Sequence, residues 1–361
     1  MDSILVFNTG STSISYHRYT AHSLELLFKG KYAFTAALQD RKEFLKIFRS
    51  ALREIGSLTD VVGIGHRIVH GGDQFHEPTL IDDHALHDLQ TLKGLAPLHN
   101  PWNIAGIEAC REYLESIPNV GVFDTGFFAT LPPEAYLYAL PPAYAHYRRY
   151  GFHGISHASV MEQLSQTLNK PARKLTFISC HLGGGSSVAL IDKGQPLDVS
   201  MGYTPLEGLI MMTRTGDLDP GIVLDMIQKA ITQTNTIEEA RAAVENIEAA
   251  LYRDAGLKGL AGAHNYLELL TEKTAGNPHA LMAFTLFVRR IKKYIGAYAA
   301  LVPKLDAICF TGSIGAGEST TRDEIVKGLP ALKKVPVYSF SPAEELTIAR
   351  TVQRVLSIDA A

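Results

Sequence analysis

Three stretches of this chain have the composition needed to wrap backbone around a phosphate: Asn8-Thr9-Gly10-Ser11-Thr12-Ser13, His181-Leu182-Gly183-Gly184-Gly185-Ser186-Ser187 and Thr311-Gly312-Ser313-Ile314-Gly315-Ala316. Each follows a short apolar run. Glycine permits the positive φ angles and close approach that let N–H groups converge on an anion, so Gly10, Gly183, Gly184, Gly185, Gly312 and Gly315 are candidate phosphate contacts. One such turn is ordinary hairpin chemistry; three behind three strands point to a phosphate ligand. Neither GxxxxGKS/T nor GxGxxG occurs, which removes the main signature of Walker-type NTPases, dinucleotide-binding dehydrogenases and protein kinases. His66/His70 and His153/His157 have i, i+4 spacing, but no third ligand set completes a zinc site. Cys110, Cys180 and Cys309 lack CxxC spacing, and the last two lie at or near the ends of apolar runs, where buried thiols belong.

The elements that must position these turns follow from periodicity. Residues 3–7 are apolar and 14–16 resume an alternating pattern, as do 175–180 and 188–191, so strand, glycine/serine turn, strand occurs twice. A second echo pairs 120–123, running into Asp124-Thr125-Gly126, with 307–310, running into Thr311-Gly312-Ser313. Both suggest an internal duplication. Helical periods cover 40–55, with Phe44, Ile47, Phe48 and Leu52 on one face, then 238–252, 279–301 and 343–356. Strands alternating with helices make the chain α/β.

A length of 361 residues exceeds one ordinary core and predicts two domains with a cleft. With 46% hydrophobic and 20% charged residues the composition is globular. A net charge of -3 without a Lys/Arg block argues against a nucleic-acid partner. No apolar run suffices for a membrane span and the N-terminus lacks a signal-like pattern, so the expectation is a cytoplasmic enzyme with no membrane partner.

Two α/β halves, each opened by such a hairpin, resemble the superfamily of actin, sugar kinases and heat-shock ATPases. That resemblance implies two actin-like (ribonuclease H-like) domains, expected at 1–124 plus 343–361 and at 125–342. Longer motifs narrow it. Gly65-His66-Arg67-Ile68-Val69-His70-Gly71-Gly72 is followed by Leu95-Ala96-Pro97-Leu98-His99-Asn100-Pro101, Phe123-Asp124-Thr125 and Tyr150-Gly151-Phe152-His153-Gly154-Ile155-Ser156-His157. Then come Ser200-Met201-Gly202-Tyr203-Thr204-Pro205-Leu206-Glu207-Gly208-Leu209 and Thr213-Arg214-Thr215-Gly216-Asp217-Leu218-Asp219-Pro220. In content and order these resemble the acetate kinase family nearly end to end.

The resemblance implies reversible phosphoryl transfer from a phosphate donor, ATP first, to a short-chain carboxylate, acetate first. A carboxylate oxygen attacking a terminal phosphoryl group passes through a charge-rich trigonal transition state, so catalysis is positioning plus positive charge. Arginine suits that task because its planar fork grips oxygens bidentately and stays charged. By similarity, Arg67 and Arg214 flank the reacting groups, His153 donates to phosphoryl oxygens, and Asp124 orients an arginine or the incoming acid. Asp124 is no general base, since acetate has no proton to give. Val69, Leu98, His99, Phe152 and Pro205 are implied to line the acid's pocket. Donor contacts are implied for Ser11, Ser13, His181, Leu182, Gly183, Gly184, Gly185, Gly312, Ser313, Ile314, Gly315 and Ala316. Asn8 and Glu344 match metal-site residues for Mg2+ or Mn2+, a hard cation that neutralises a polyphosphate. A homodimer is implied too, for which the apolar helix near 280–301 offers a surface.

Several positions depart from the family pattern. Ser15 stands where lysine is usual, Gly184 replaces asparagine, and Phe128 replaces a histidine. Tyr266-Leu267-Glu268 stands for Asp-Phe-Arg, and Ser313-Ile314-Gly315-Ala316-Gly317 for Gly-Ile-Gly-Glu-Asn, with Glu318 two residues late. The acid half is intact while the adenosine half is changed, which raises pyrophosphate or another nucleotide as an alternative donor. The same motifs also admit propionate or butyrate as acceptor, or a non-catalytic sensor of acyl phosphate or nucleotide.

Overall fold

Each glycine/serine hairpin starts a mixed sheet. The computed structural model describes residues 2–10, 13–34, 41–97 and 99–359. The strands are β1 Ser3–Thr9, β2 Ser13–Thr20, β3 Leu26–Ala33, β4 Val61–Ile68, β5 Thr79–Leu80, β6 Asn119–Phe123, β7 Phe177–Leu182, β8 Ser186–Asp192, β9 Gln195–Val199, β10 Ala307–Thr311 and β11 Val337–Ser339. The helices are α1 Arg41–Ile55, α2 Asp83–Thr91, α3 Asn100–Tyr113, α4 Pro133–Tyr136, α5 Gly154–Thr167, α6 Pro220–Ile231, α7 Ile237–Arg253, α8 Gly256–Ala261, α9 Tyr266–Thr274, α10 Pro278–Ala299, α11 Gly312–Gly317, α12 Ser319–Lys327 and α13 Glu344–Val355.

The chain forms two compact units, one of residues 1–129, 152–159 and 343–361, the other of 130–151 and 160–342. In the first, the sheet order is β3-β2-β1-β4-β6-β5; β1, β2 and β3 form an antiparallel meander, and β4 and β6 run parallel to β1. In the second the order is β11-β10-β7-β8-β9, with β7, β8 and β9 as the meander and β10 and β11 parallel to β7. The duplication read from the hairpins is therefore a duplication of topology. The second echo is paired differently: β10 occupies the place of β4, and the counterpart of β6 is β11.

Alternation along the strands sorts their side chains by face. In the first unit Leu5, Phe7 and Ile64 pack with Phe44, Phe48 and Leu52 of α1, whereas Ile4, Val6, Val120 and Val122 pack with Ile348, Ala349 and Val352 of α13. Helix α13 lies close on β4 because Gly63 and Gly65 present no side chain; a Cβ at Gly63 would come 2.6 Å from Leu356 Cδ1, and one at Gly65 would come 2.8 Å from Val352 Cγ2. The second unit's core joins Ile178, Cys180 and Leu182 of β7 to Phe284, Phe287, Ile291 and Ile295 of α10. The buried stripe of α10 thus packs inside its own unit, while Leu281 and Met282 of the same helix are exposed. All three cysteines are buried and free. Among the described residues no helix is long and apolar enough to cross a membrane.

Candidate active site

In the first unit the α13-facing alternation continues to the strand ends. Asn8 near the end of β1, Arg67 near the end of β4 and Asp124 just past β6 succeed Val6, Gly65 and Val122 on the same face, at the carboxyl ends of three parallel neighbours. Such ends are where α/β sheets place ligands. Arg67 puts two donors on one Asp124 oxygen, Nε at 3.0 Å and Nη2 at 2.6 Å, and its Nη1 is 3.4 Å from Asn8 Oδ1. Burial alone would push the Arg67 guanidinium down; the charge and hydrogen bonds of Asp124, with Glu344 and Glu345, hold it above its ordinary value. It therefore stays cationic. Asp124 is 1% exposed, and its Oδ1 is buried without a partner among the described residues. A carboxylate oxygen so placed suits an incoming donor or cation.

The oxygen-rich set of Asn8, Glu344 and Glu345 beside Arg67 is the donor chemistry of a hard divalent cation completed by phosphate and water. Of the two glutamates it is Glu345 whose Oε1 accepts from Asn8 Nδ2, at 3.4 Å, while Glu344 is the first residue of α13. Sequence reasoning passed over Glu345 in favour of Glu344. No group of three or more His, Cys, Asp or Glu side chains that could hold a metal ion is found among the described residues. His66 and His70 are buried, and burial pushes each down to about 4 against the opposing effects of Asn119 and Asp73 respectively. His66 Nε2 bonds Asn119 Oδ1 at 2.7 Å, and His70 Nδ1 accepts from Gly72 N at 2.9 Å. Both are neutral structural groups at pH 7.

Val69, Phe152 and His153 lie in the same unit. The backbone N–H groups of Val69 and His70 donate to Asn103 Oδ1 (3.0 Å) and Asn100 Oδ1 (3.1 Å), side chains one turn apart on α3. Neither asparagine was singled out beforehand; two amides on the otherwise apolar buried face of α3 are the signal that would have found them. His99 is the residue before α3. Phe152 is buried, edge-on to His70 with ring centroids 5.4 Å apart. His153 has φ 61°, a left-handed conformation costly for a residue with a Cβ, immediately before α5. Its position is fixed by Gly154 N donating to Asp124 O at 2.9 Å. Phe128 is fully buried, edge-on to His157 at 5.8 Å, so the histidine's replacement serves the core. Gly10 N donates to Ser13 O at 2.9 Å and closes the first turn. Ser11 and Leu98 lie outside the described residues.

In the second unit the hairpin between β7 and β8 closes through Gly183 N donating to Gly185 O at 3.0 Å. His181, Gly183 and Ser313 come together there: a Cβ at Gly183 would lie 3.4 Å from Ser313 Oγ and 3.8 Å from His181 Nε2. Gly312, with φ 81°, passes against the Leu182 carbonyl and opens α11, which carries Ser313, Ile314, Gly315 and Ala316. Gly184 has open space around it. The changed adenosine-side residues have local work. Asn265 Oδ1 accepts from Glu268 N at 3.0 Å and Glu268 Oε2 accepts from His264 N at 2.8 Å, which caps α9, and Tyr266 is buried with its hydroxyl 2.8 Å from Thr321 Oγ1. Arg322 donates to Gly315 O (2.8 Å) and Ala316 O (2.9 Å), tying off the end of α11.

Arg214 differs from Arg67. Its Nη1 donates to Pro205 O at 3.3 Å and approaches Met211 Sδ at 3.8 Å, and no carboxylate of its own unit pairs with it among the described residues. Burial pushes it down, partly offset by Tyr252. A buried guanidinium without a fixed counter-ion favours an anionic ligand. Gly256, with φ 63°, lets α8 begin directly against the backbone of Met211 and Arg214.

A family model described as the acetokinase family matches residues 21–337. The chain is 36% identical to acetate kinase 2 of Listeria monocytogenes serotype 4b (strain F2365), over 98% of this chain and 99% of that protein. Among solved structures it is similar to a propionate kinase of Francisella tularensis (TM-score 0.87, 31% identity, 98% of this chain and 100% of the other). It is equally similar to the acetate kinase of Porphyromonas gingivalis (TM-score 0.86, 31% identity, 99% and 100%). With these matches and the strand-end constellation around Arg67, the chain belongs to the acetokinase family, phosphotransferases whose acceptor is a carboxyl group.

Proposed function

We propose that this enzyme moves the terminal phosphoryl group of ATP reversibly to acetate, giving acetyl phosphate, with Mg2+ or Mn2+ bound. The observation that carries the reading is the strand-end set of Asn8, Arg67 and Asp124, in which a guanidinium is locked by one carboxylate oxygen while the second oxygen is left over. Arg67 neutralises charge on the migrating group and the acceptor. His153 donates to phosphoryl oxygens, and Val69, His99 and Phe152 bound the acid. Asn8 and Glu344, with Glu345 as a third oxygen donor, would hold the cation, which supplies charge neutralisation on the donor phosphates.

ATP rather than pyrophosphate is our reading of the donor, because the glycine hairpin with His181 and the α11 turn are both present. The named relatives are acetate kinases, and the propionate kinase likeness gives propionate as the second acceptor. A methylene discriminates by only about 1–3 kcal/mol, so overlapping use of the two acids is expected. Hydroxamate formation from acetate, propionate and butyrate with ATP, GTP or pyrophosphate tests the assignment. Acetate with ATP should give the highest kcat/KM. No hydroxamate from any acid sinks the function, and a pyrophosphate preference sinks the donor.

We read the enzyme as a cytoplasmic homodimer. Support for the dimer is α6, where Ile222, Leu224 and Ile231 are 47%, 67% and 43% exposed and no residue is buried. Helices α6 and α7 pack against each other and leave these side chains uncovered.

A further inference from the structure

The loop from Val199 to Gly208 carries Pro205, and the Glu207 side chain stands at the centre of the contacts that hold its shape. Glu207 turns back over Gly202, filling the space where a Cβ would stand, so a side chain at 202 would displace the Glu207 carboxylate. Its Oε1 accepts from Arg149 Nη2 at 2.6 Å, and its Oε2 accepts from the Tyr138 hydroxyl. That hydroxyl in turn accepts from Tyr203 N at 2.9 Å, and Arg149 Nη1 donates to Val199 O at 3.1 Å. Tyr150 N donates to Gly202 O at 3.1 Å. The loop is therefore clasped at its start, at its middle and at Glu207. Gly208 N donates to Asp217 Oδ1 at 2.8 Å and fixes the exit. Between the held Tyr203 and Glu207 stands the Pro205 carbonyl, the one oxygen among the described residues that takes a hydrogen bond from Arg214.

We infer that Glu207, clasped by Arg149 and Tyr138, is a positioning residue that sets the direction of the Arg214 guanidinium through the Pro205 carbonyl. Arg214 has no carboxylate of its own unit to aim it, unlike Arg67, so its aim depends on that carbonyl. The inference rests on the carboxylate kinase reading proposed above.

The test is a double-mutant cycle read in kcat and in KM for acetate and for ATP. Glu207→Ala should lower kcat/KM for acetate by about 10–100-fold while KM for ATP moves less than about twofold, a loss smaller than the ~10²–10³ expected for removing the guanidinium itself. In an Arg214→Ala background the same change should cost less than about twofold, because residues acting as a unit are not additive. Glu207→Gln, which keeps one acceptor for Arg149, should recover a large part of the loss. Tyr138→Phe removes one hydroxyl and should reproduce the acetate effect in milder form, which keeps the test available if Glu207→Ala does not fold. Loss in Arg214→Ala as large as in wild type overturns the clasp and leaves the kinase reading standing. Wild-type turnover in Arg214→Ala removes Arg214 from the chemistry, and the clasp's role falls with it.

Discussion

Replacing Asp124 by asparagine keeps its shape and removes its charge, and the structure fixes what is lost. Two Arg67 donors converge on Asp124 Oδ2 at 3.0 and 2.6 Å, with the carboxylate 1% exposed. A hydrogen bond to a charged group contributes about 1.5–3 kcal/mol against about 0.5–1.5 for a neutral one, so the pair loses about 2 kcal/mol. Breaking a fully buried ion pair costs about 3–5 kcal/mol. Because the Arg67 side chain is 23% exposed, solvent screens part of this and the lower figure is expected. For a unit of roughly 150–250 residues that corresponds to a thermal midpoint lowered by about 4–8 °C. The kinetic loss should be greater, about 10²–10³ in kcat, since Arg67 without its lock no longer meets the migrating group in one fixed orientation. Thermal melts and the hydroxamate assay on Asp124→Asn read both quantities. Unchanged kcat together with an unchanged midpoint would refute the claim that this carboxylate aims Arg67.

Acid should destabilise the first unit through its buried histidines. His66 and His70 bind protons near pH 6.5 when unfolded but only near about 4 when folded. Their neutral forms therefore favour folding above pH 6.5, and stability falls as pH drops from there towards 4, by up to about 1.4 kcal/mol per unit for each. His66→Gln should roughly halve the slope of urea midpoint against pH; an unaltered slope counts against it. Gly312→Ala places a Cβ at φ 81° against the Leu182 carbonyl, and should raise KM for ATP several-fold with KM for acetate little changed; equal KM values for ATP would detach this turn from the donor. Leu224→Glu on α6 should convert a dimer to a monomer by light scattering, and a monomeric wild type would end the dimer proposal.

Strands, helices and the repeated hairpin were legible because period-2 and period-3.6 patterns are local properties. The echo of 120–123 with 307–310 misled for the same reason: strand-plus-glycine is a local word, and only pairing reveals that β10 stands where β4 does. Arg67, Asp124 and Asn8 were named from motifs, but their common origin, alternation along three parallel neighbours, needs the sheet register. The Asn100–Asn103 pair and the Glu207 clasp escaped notice, and Glu345 was set below Glu344, because each acts through a backbone group or a partner far away in sequence. Tyr266 and Glu268, which depart from the family pattern, fill a core and cap a helix, roles that a motif comparison does not display.

Helix α13 completes the first unit with residues made after all of the second, and this dictates an order of assembly. Synthesis delivers 160–342 whole before the ribosome releases Glu344, Ile348 and Val352, so the later half can fold while β1, β4 and β6 wait with one face bare. A chain stopped at residue 342 would leave Ile4, Val6 and Val122 open to water and to other chains, and Asn8 without its carboxylate neighbour. A check on complete translation is thereby built into this helix: a truncated product lacks a closed first half.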